Sequence, residues 1–380
     1  MKTEERNSEM TGKIKKFCQS QPVLVIAFAA AVVTMFIIPP DREYLSYCSR
    51  TVLIQLFCLM TAVAGFRSIG LFETATGYLL KRAGNLRRLG LIFVMTCYFT
   101  SMLVTNDVAL ITFVPLTLLA YSRINDERSR ILTIVLETAA ANLGSMVTPF
   151  GNPQNLYIFD MYSLTLGDFF RTMLPAGVVS LIILILLCML LPKSPCTAEA
   201  AVSEPVPKLH LAAYFVLFIL CLLTVFRAVP DWICLIAAVV TALFLNYKLL
   251  FKVDYGLLAT FVCFFVFVGN FARIDAVRDF FSSVLKGREV IVAALLSQGI
   301  SNVPAAVMLS GFTEKGRELL LGVNIGGMGT VIASLASLIS FQYYRKAENA
   351  QPLKYMLIFS VTGFAMLALL LVLALTGIIY

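Results

Sequence analysis

The 33 residues from Leu89 to Tyr121 carry a single charge, Asp107. Such a run is too long for one bilayer crossing of about 20 residues and too short for two crossings with a loop. Thr105-Asn106-Asp107 sits at its middle. A second apolar segment, 290–311, breaks at Ser301-Asn302-Val303-Pro304, where proline removes a backbone donor and disfavours helix just before itself. Both segments read as re-entrant helical hairpins with polar tips near the membrane midplane. Backbone of that kind is tolerated in a bilayer only when buried in protein or facing a wet cavity.

The rest of the chain agrees with a bilayer as solvent. It is 59% hydrophobic and 14% charged, where a soluble domain is nearer about 25% charged. Candidate spans cover 23–38, 48–66, 131–156, 173–191, 209–226, 230–247, 254–271, 316–343 and 354–378. Period-2 alternation is absent, which disfavours a transmembrane barrel. The fold expected is all-α and polytopic, with nine spans plus two hairpins. The nine cysteines include no C-x-x-C pair and read as small hydrophobes of a reduced protein. His210 is the only histidine, so a His-based zinc site and a histidine proton relay are excluded. The first apolar run follows a basic stretch and resembles a signal peptide, but Pro39-Pro40-Asp41-Arg42 follows it without a small-residue cleavage site. It is expected to stay as an uncleaved first span.

Two polar stretches repeat one another. Ala141–Leu156 (ANLGSMVTPFGNPQNL) and Val323–Leu338 (VNIGGMGTVIASLASL) share Asn142/Asn324, Gly144/Gly326, Met146/Met328, Thr148/Thr330 and Leu156/Leu338. Ala30–Thr34 recurs as Ala237–Thr241, and Asn106 matches Asn302. Each unit is span, span, amphipathic stretch, hairpin, broken span, span. Four crossings per unit plus one helix between them make five, so the second unit is inverted relative to the first. The expected organisation is a basic cytoplasmic tail (1–21), repeat unit 1 (22–191), a flexible cytoplasmic linker (192–208), a connecting helix (209–229) and repeat unit 2 (230–380). With the N-terminus inside, 15 Lys/Arg of the first 208 residues fall inside against 3 outside; the second half stands at 5 against 7. This orientation follows the positive-inside bias of the first half and leaves the C-terminus extracytoplasmic, in a multi-pass protein of the cell membrane. The net charge of +8 needs no nucleic acid to explain it.

Two prolines and a glycine in Thr148-Pro149-Phe150-Gly151-Asn152-Pro153 cannot continue a helix. The preceding helix must stop near Val147 and leave its last carbonyls free. Those carbonyls, with Asn and Thr oxygens, could ligate Na⁺, and a half-helix after Pro153 would aim N–H groups at an anion. The tips Thr105-Asn106-Asp107 and Ser301-Asn302-Val303 offer uncharged donors and acceptors for brief contact with a solute. Simple helix capping also explains such residues. Glu137, seven residues into its span, is an intramembrane acid and so a functional candidate, with Asp107, for binding a coupling H⁺ or Na⁺. A structural acid is the alternative for Glu137. Arg67–Glu73 with Gly77–Arg88, and its counterpart Arg273–Lys286, read as interfacial amphipathic helices anchored to headgroups.

At these residues the chain resembles the ion-transporter superfamily, which holds arsenite permeases, NhaD-type sodium/proton antiporters and divalent-anion/sodium symporters, including citrate-transporter-like proteins. The matching runs are TNDVALITFVPL (Thr105–Leu116), ANLGSMVTPFGNPQNL, the SNVP tip and the VNIGG run from Val323. In the symporter branch both tips carry Ser-Asn-Thr. Here Asp107 and Val303 replace the third position, and the TND tip is closer to the arsenite-permease branch. The family's second Pro-Asn break is replaced by Ala333-Ser334-Leu335-Ala336-Ser337, so that segment is expected to have lost both its break and its ligands. The resemblance implies a transport domain moving against a scaffold, often in a homodimer. The expected function is secondary active transport of a small anion, citrate- or dicarboxylate-like or an inorganic oxyanion, coupled to Na⁺ or H⁺. The alternatives are a Na⁺/H⁺ antiporter, an arsenite efflux permease or, further off, an ion channel. Substrate would meet Thr105, Asn106, Ser301, Asn302, Asn324, Gly326 and Thr330. The ion would meet Asp107, Glu137, Asn142, Thr148, Gly151, Asn152 and Asn155. No cofactor is expected beyond Na⁺ as a coupling ion. No G-x-x-x-x-G-K-[ST] loop occurs for ATP, and no paired-carboxylate motif supports an enzyme.

Overall fold

The computed structural model describes residues 21–80, 83–122, 124, 126–196 and 205–380. Nearly all of the basic tail, Lys81 and Arg82 of the amphipathic stretch, and 197–204 of the linker lie outside the described residues. The first unit runs α1 (Pro22–Ile37), a short α2 (Tyr44–Tyr47), α3 (Arg50–Ser68), α4 (Leu71–Leu80), α5 (Leu86–Ser101), α6 (Asn106–Ala120), α7 (Glu127–Ser145), α8 (Pro153–Met161) and α9 (Leu166–Cys188). α10 (Lys208–Val225) connects it to the second unit. That unit runs α11 (Asp231–Leu245), a 3₁₀ turn (Tyr247–Lys252), α12 (Tyr255–Ala272), α13 (Asp275–Leu285), α14 (Glu289–Ile300), α15 (Asn302–Ser310), α16 (Gly316–Ile325), α17 (Leu335–Arg345) and α18 (Pro352–Leu375). Among the described residues five helices (α3, α9, α10, α12 and α18) are long and apolar enough to cross a membrane; α1 and α11 are shorter apolar helices. Many helices start where the residue type demands: Ser49, Asn85, Asp126, Asn152, Thr165 and Asp254 each accept a backbone N–H three residues on, satisfying donors that a helix start leaves open.

Contacts sort the chain into two ends. At the linker end, Leu86 and Arg87 donate backbone N–H bonds to Ser194 and Pro192 (both 3.0 Å). Leu86, Leu89 and Phe93 of α5 share one apolar cluster with Ala120 and Tyr121 at the end of α6. Both arms of the first hairpin therefore return to this end. A cavity lined by Ser68, Glu73, Pro205, His210 and Asn246 places the end of α3, the start of α10 and the end of α11 here as well. At the far end, the second hairpin opens: Thr313 Oγ1, beyond α15, reaches Glu289 Oε1 at the start of α14 (3.5 Å). Arg317 pairs with Asp168, Arg273 with Asp41 (2.7 Å), and Tyr162 donates to the Thr313 carbonyl (2.8 Å). The two helix pairs, α5–α6 and α14–α15, thus open toward opposite ends.

Two bodies of packing follow. α3 lies against α10 and α11, and α1 against α12. The hairpins and broken helices pack on one another, with α6 of the first unit against α17 of the second and α8 against α15. α5 and α7 approach so closely that a Cβ on Gly144 would stand 2.2 Å from the Tyr98 carbonyl oxygen and 2.5 Å from Ser101 Oγ. Gly144→Ala must push two backbones apart, an overpacking cost of about 1–3 kcal/mol. A lowered thermal unfolding midpoint in detergent is expected. Gly167→Ala, whose Cβ meets only ordinary contact, is expected to leave the midpoint near wild type.

Candidate functional site

α7 stops at Ser145 and α8 starts at Pro153, with Asn152 as its cap (Asn155 N to Asn152 Oδ1, 2.9 Å). The carbonyls at the break are not free, contrary to the expectation. The oxygens of Ser145, Met146 and Thr148 all lie within hydrogen-bond reach of Asn155 Nδ2, at 3.3, 3.1 and 2.9 Å. The reason is geometric: Asn155 lies one turn into α8, and its amide folds back over the broken end of α7. Gly151 makes room, since a Cβ there would stand 2.2 Å from the Ser145 oxygen. Thr148 Oγ1 donates to the Met102 carbonyl (2.6 Å) and so holds the break against the first hairpin's tip.

The second unit has the broken span that the repeat predicts, and only the expected loss of that break is corrected. α16 ends at Ile325 and α17 starts at Leu335, so the helix is broken without proline. Gly329 takes φ +106°, backbone open mainly to glycine. Gln298, from α14, fills the role of Asn155. Its Nε2 lies 3.0, 2.8 and 3.0 Å from the carbonyls of Ala294, Gly326 and Met328, and its Oε1 accepts from Thr330 N (2.9 Å). A break needs its polar groups satisfied, not a particular residue to cause it. The Ala333–Ser337 segment also keeps polar partners: Ser334 Oγ donates to Asn142 Oδ1 (2.9 Å) and Asn142 Nδ2 to Ser337 Oγ (3.4 Å).

Asparagines tie the first tip to α7 and join the two units through Asn324. Asn106 Nδ2 donates to Asn142 Oδ1 (3.0 Å), Asn152 Nδ2 to Asn324 Oδ1 (3.0 Å) and Asn324 Nδ2 to Asn155 Oδ1 (2.6 Å). All five are buried. Asn106 and Asn302 do the same local job, each accepting the next residue's N–H, from Asp107 (3.0 Å) and Val303 (2.9 Å). Asn302 N donates to the Ala333 carbonyl (2.9 Å) and Ser301 Oγ faces the same oxygen (3.4 Å), which ties the second tip to the second break. Gly326 and Thr330 sit behind Gln298. Glu137 stands apart from the asparagines: its Oε1 accepts from Thr117 Oγ1 of α6 (2.7 Å) and its Oε2 is buried without a partner. Thr105 and Asp107 turn to a cavity of about 560 Å³ lined also by Arg67, Glu73, Pro153, Lys252 and Asp254. Among the described residues no three His, Cys, Asp or Glu side chains are placed to hold a metal ion. Sequence reasoning missed Gln298, Ser145, Ser334 and Ser337; an amide inside an otherwise apolar arm, three residues before a tip, was the signal for Gln298.

A family model described as the citrate transporter CitMHS matches residues 17–313. The chain belongs to the citrate transporter family. The chain is 34% identical to an uncharacterized transporter of Methanocaldococcus jannaschii over 291 residues, 76% of this chain and 80% of that one. It is 31% identical to the inner membrane protein YbiR of Escherichia coli, over 76% of this chain and 78% of that protein. The fold is similar to the crystal structure of the YdaH transporter of Alcanivorax borkumensis, with a TM-score of 0.53 and 15% identity over 86% of this chain and 85% of that one. This citrate-transporter-family protein is therefore a multi-pass membrane transporter.

Replacing Asn155 by Leu removes the side-chain donor facing the Ser145 and Met146 carbonyls, and Gln298 by Met the one facing the Gly326 and Met328 carbonyls. Each buried unsatisfied group costs about 1–3 kcal/mol. Either variant is expected to lower the unfolding midpoint by clearly more than Ser283→Ala, an exposed change at the far end, in the same detergent melt.

Proposed function

We propose that this citrate-transporter-family protein is a secondary active carrier of a small anion, citrate- or dicarboxylate-like or an inorganic oxyanion, working by alternating access in the cell membrane with its N-terminus cytoplasmic. The observation that carries the reading is one-sided access. The polar cavity reaches Thr105 and Asp107 on the first tip and Pro153 at the first break from the linker end. The far end is crossed by Arg227 donating to the Phe159 carbonyl (3.0 Å), Ser49 to Asp160 (3.2 Å) and Tyr162 to Thr313. Exchange of these two conditions would carry a site at the tips from one face to the other. Substrate would be held by the neutral groups of Thr105, Asn106, Ser301, Asn302 and Asn324, which bind without trapping.

For coupling, the amide nitrogens on both carbonyl triads favour H⁺ over Na⁺. Sodium at the first break would have to displace Asn155 Nδ2. Asp107, in the cavity, and Glu137, against the hairpin arm, are the proton carriers of this reading. The same Asp107 supports a second reading, cation/proton antiport, because a carboxylate at the tip repels an anionic solute.

In proteoliposomes an inward-acid gradient is expected to drive accumulation of one solute among citrate, succinate, sulfate and arsenite without Na⁺. Sodium flux with no anion requirement sinks the anion reading in favour of antiport. Asp107→Asn is expected to abolish gradient-driven accumulation while sparing solute exchange. If Glu137→Gln keeps wild-type pH and Na⁺ dependence, Glu137 is not the coupling group.

A further inference from the structure

Each hairpin tip adjoins a cavity beside a long helix of its own unit. The first, beside α3, is the polar one just described. Its counterpart, about 440 Å³, lies beside α12 and is lined by Ala30 of α1, Phe264 and Phe267 of α12, Gly299 and Ile300 before the second tip, and Ile332. No charged side chain lines it. Ser301 and Ser334 reach its floor, but their hydroxyls are engaged inward, with the Ala333 carbonyl (3.4 Å) and Asn142 Oδ1 (2.9 Å). In this conformation a polar solute entering from this side would shed water and find both lining hydroxyls already engaged.

The groove's mouth is apolar as well. Ile26, Ile300 and Ile332 at the mouth are 67%, 37% and 63% exposed, and they continue the apolar outer stripe of α1 formed by Val33 and Phe36. Ser301 lies at the end of the 12-residue α14, about 18 Å from its start at 1.5 Å per residue, within a hydrocarbon core of about 30 Å. At that depth the surroundings are lipid tails. The volume falls in the range of pockets that enclose small ligands, about 300–1,000 Å³.

We propose that this groove binds one acyl tail of a bilayer phospholipid, between α1 and α12 on one side and the second hairpin on the other. The site rests on the membrane-spanning fold and not on the transport reading, so either can fail alone. A Cβ on Gly299 meets nothing within 4 Å, so Gly299→Leu fills the groove from the hairpin wall. Ala30→Phe fills it from the opposite wall.

The test is native mass spectrometry of the full chain released from phosphatidylcholine nanodiscs, with a diazirine at mid-tail for photolabelling. Wild type is expected to retain one phospholipid under detergent that strips the rest, with the label on peptides holding Ile26, Ile300 or Ile332. Retention is expected to fall about tenfold or more in both variants, with unfolding midpoints showing that they fold. Leu357→Phe, on the exposed face of α18, is expected to retain it. Equal retention in all proteins, label spread evenly over outer faces such as that of Leu357, or a cross-link between two copies through the groove overturns the proposal.

Discussion

A helix that ends inside a bilayer leaves carbonyl oxygens with no water to bond them, and this constraint organises the whole molecule. Here it is met twice by a primary amide nitrogen set against three carbonyls, Asn155 in the first unit and Gln298 in the second. Because each break is satisfied by protein, four half-helices can stop in the interior, and the hairpin tips can pack where they stop. The asparagine network continues the same solution at the first break, where Asn155 Oδ1 accepts from Asn324 Nδ2 of the second unit, while Gln298 Oε1 stays within its own unit on Thr330 N.

The repeat is symmetric in backbone and asymmetric in chemistry. Asp107 follows one tip asparagine and Val303 the other. The first tip faces a cavity with charged walls, and the second a greasy groove. A carrier built from equal halves would present alike surfaces to both faces of the membrane. The polar cavity lies toward the linker end, and the far end is crossed by Arg227, whose guanidinium both donates to the Phe159 carbonyl and stands over its ring at 5.3 Å.

Much of this architecture was legible in the residues. The run from Leu89 to Tyr121 resolved into α5 and α6 with the turn at Met102–Thr105, because length alone demanded a hairpin there and Thr105-Asn106-Asp107 marked its tip. The first break was legible because proline and glycine act locally. The second was not: its three glycines weaken a helix without forbidding it, and the group that stabilises the opening, Gln298, comes from a different helix. The freedom assigned to the first break's carbonyls failed for the same reason, since a fold-back by Asn155 is a tertiary fact. Local pattern located the interruptions; only packing decided what occupies them.

The interlocked asparagines bear on how the chain is made. Asn152 Nδ2 and Asn155 Oδ1 find their inter-unit partner in Asn324, more than 160 residues later, and Tyr344 of α17 reaches back to Glu127 at the start of α7. During synthesis the first unit must wait in the bilayer without these inter-unit partners, its amides held only by bonds such as Asn152 Nδ2 to Ser145 Oγ (3.2 Å). Its spans can insert in order, but its broken helix and hairpin reach their final packing only after the last third of the chain arrives. Insertion and folding are thus separate stages here, and the half-made protein is the state most in need of a chaperoned, water-accessible setting.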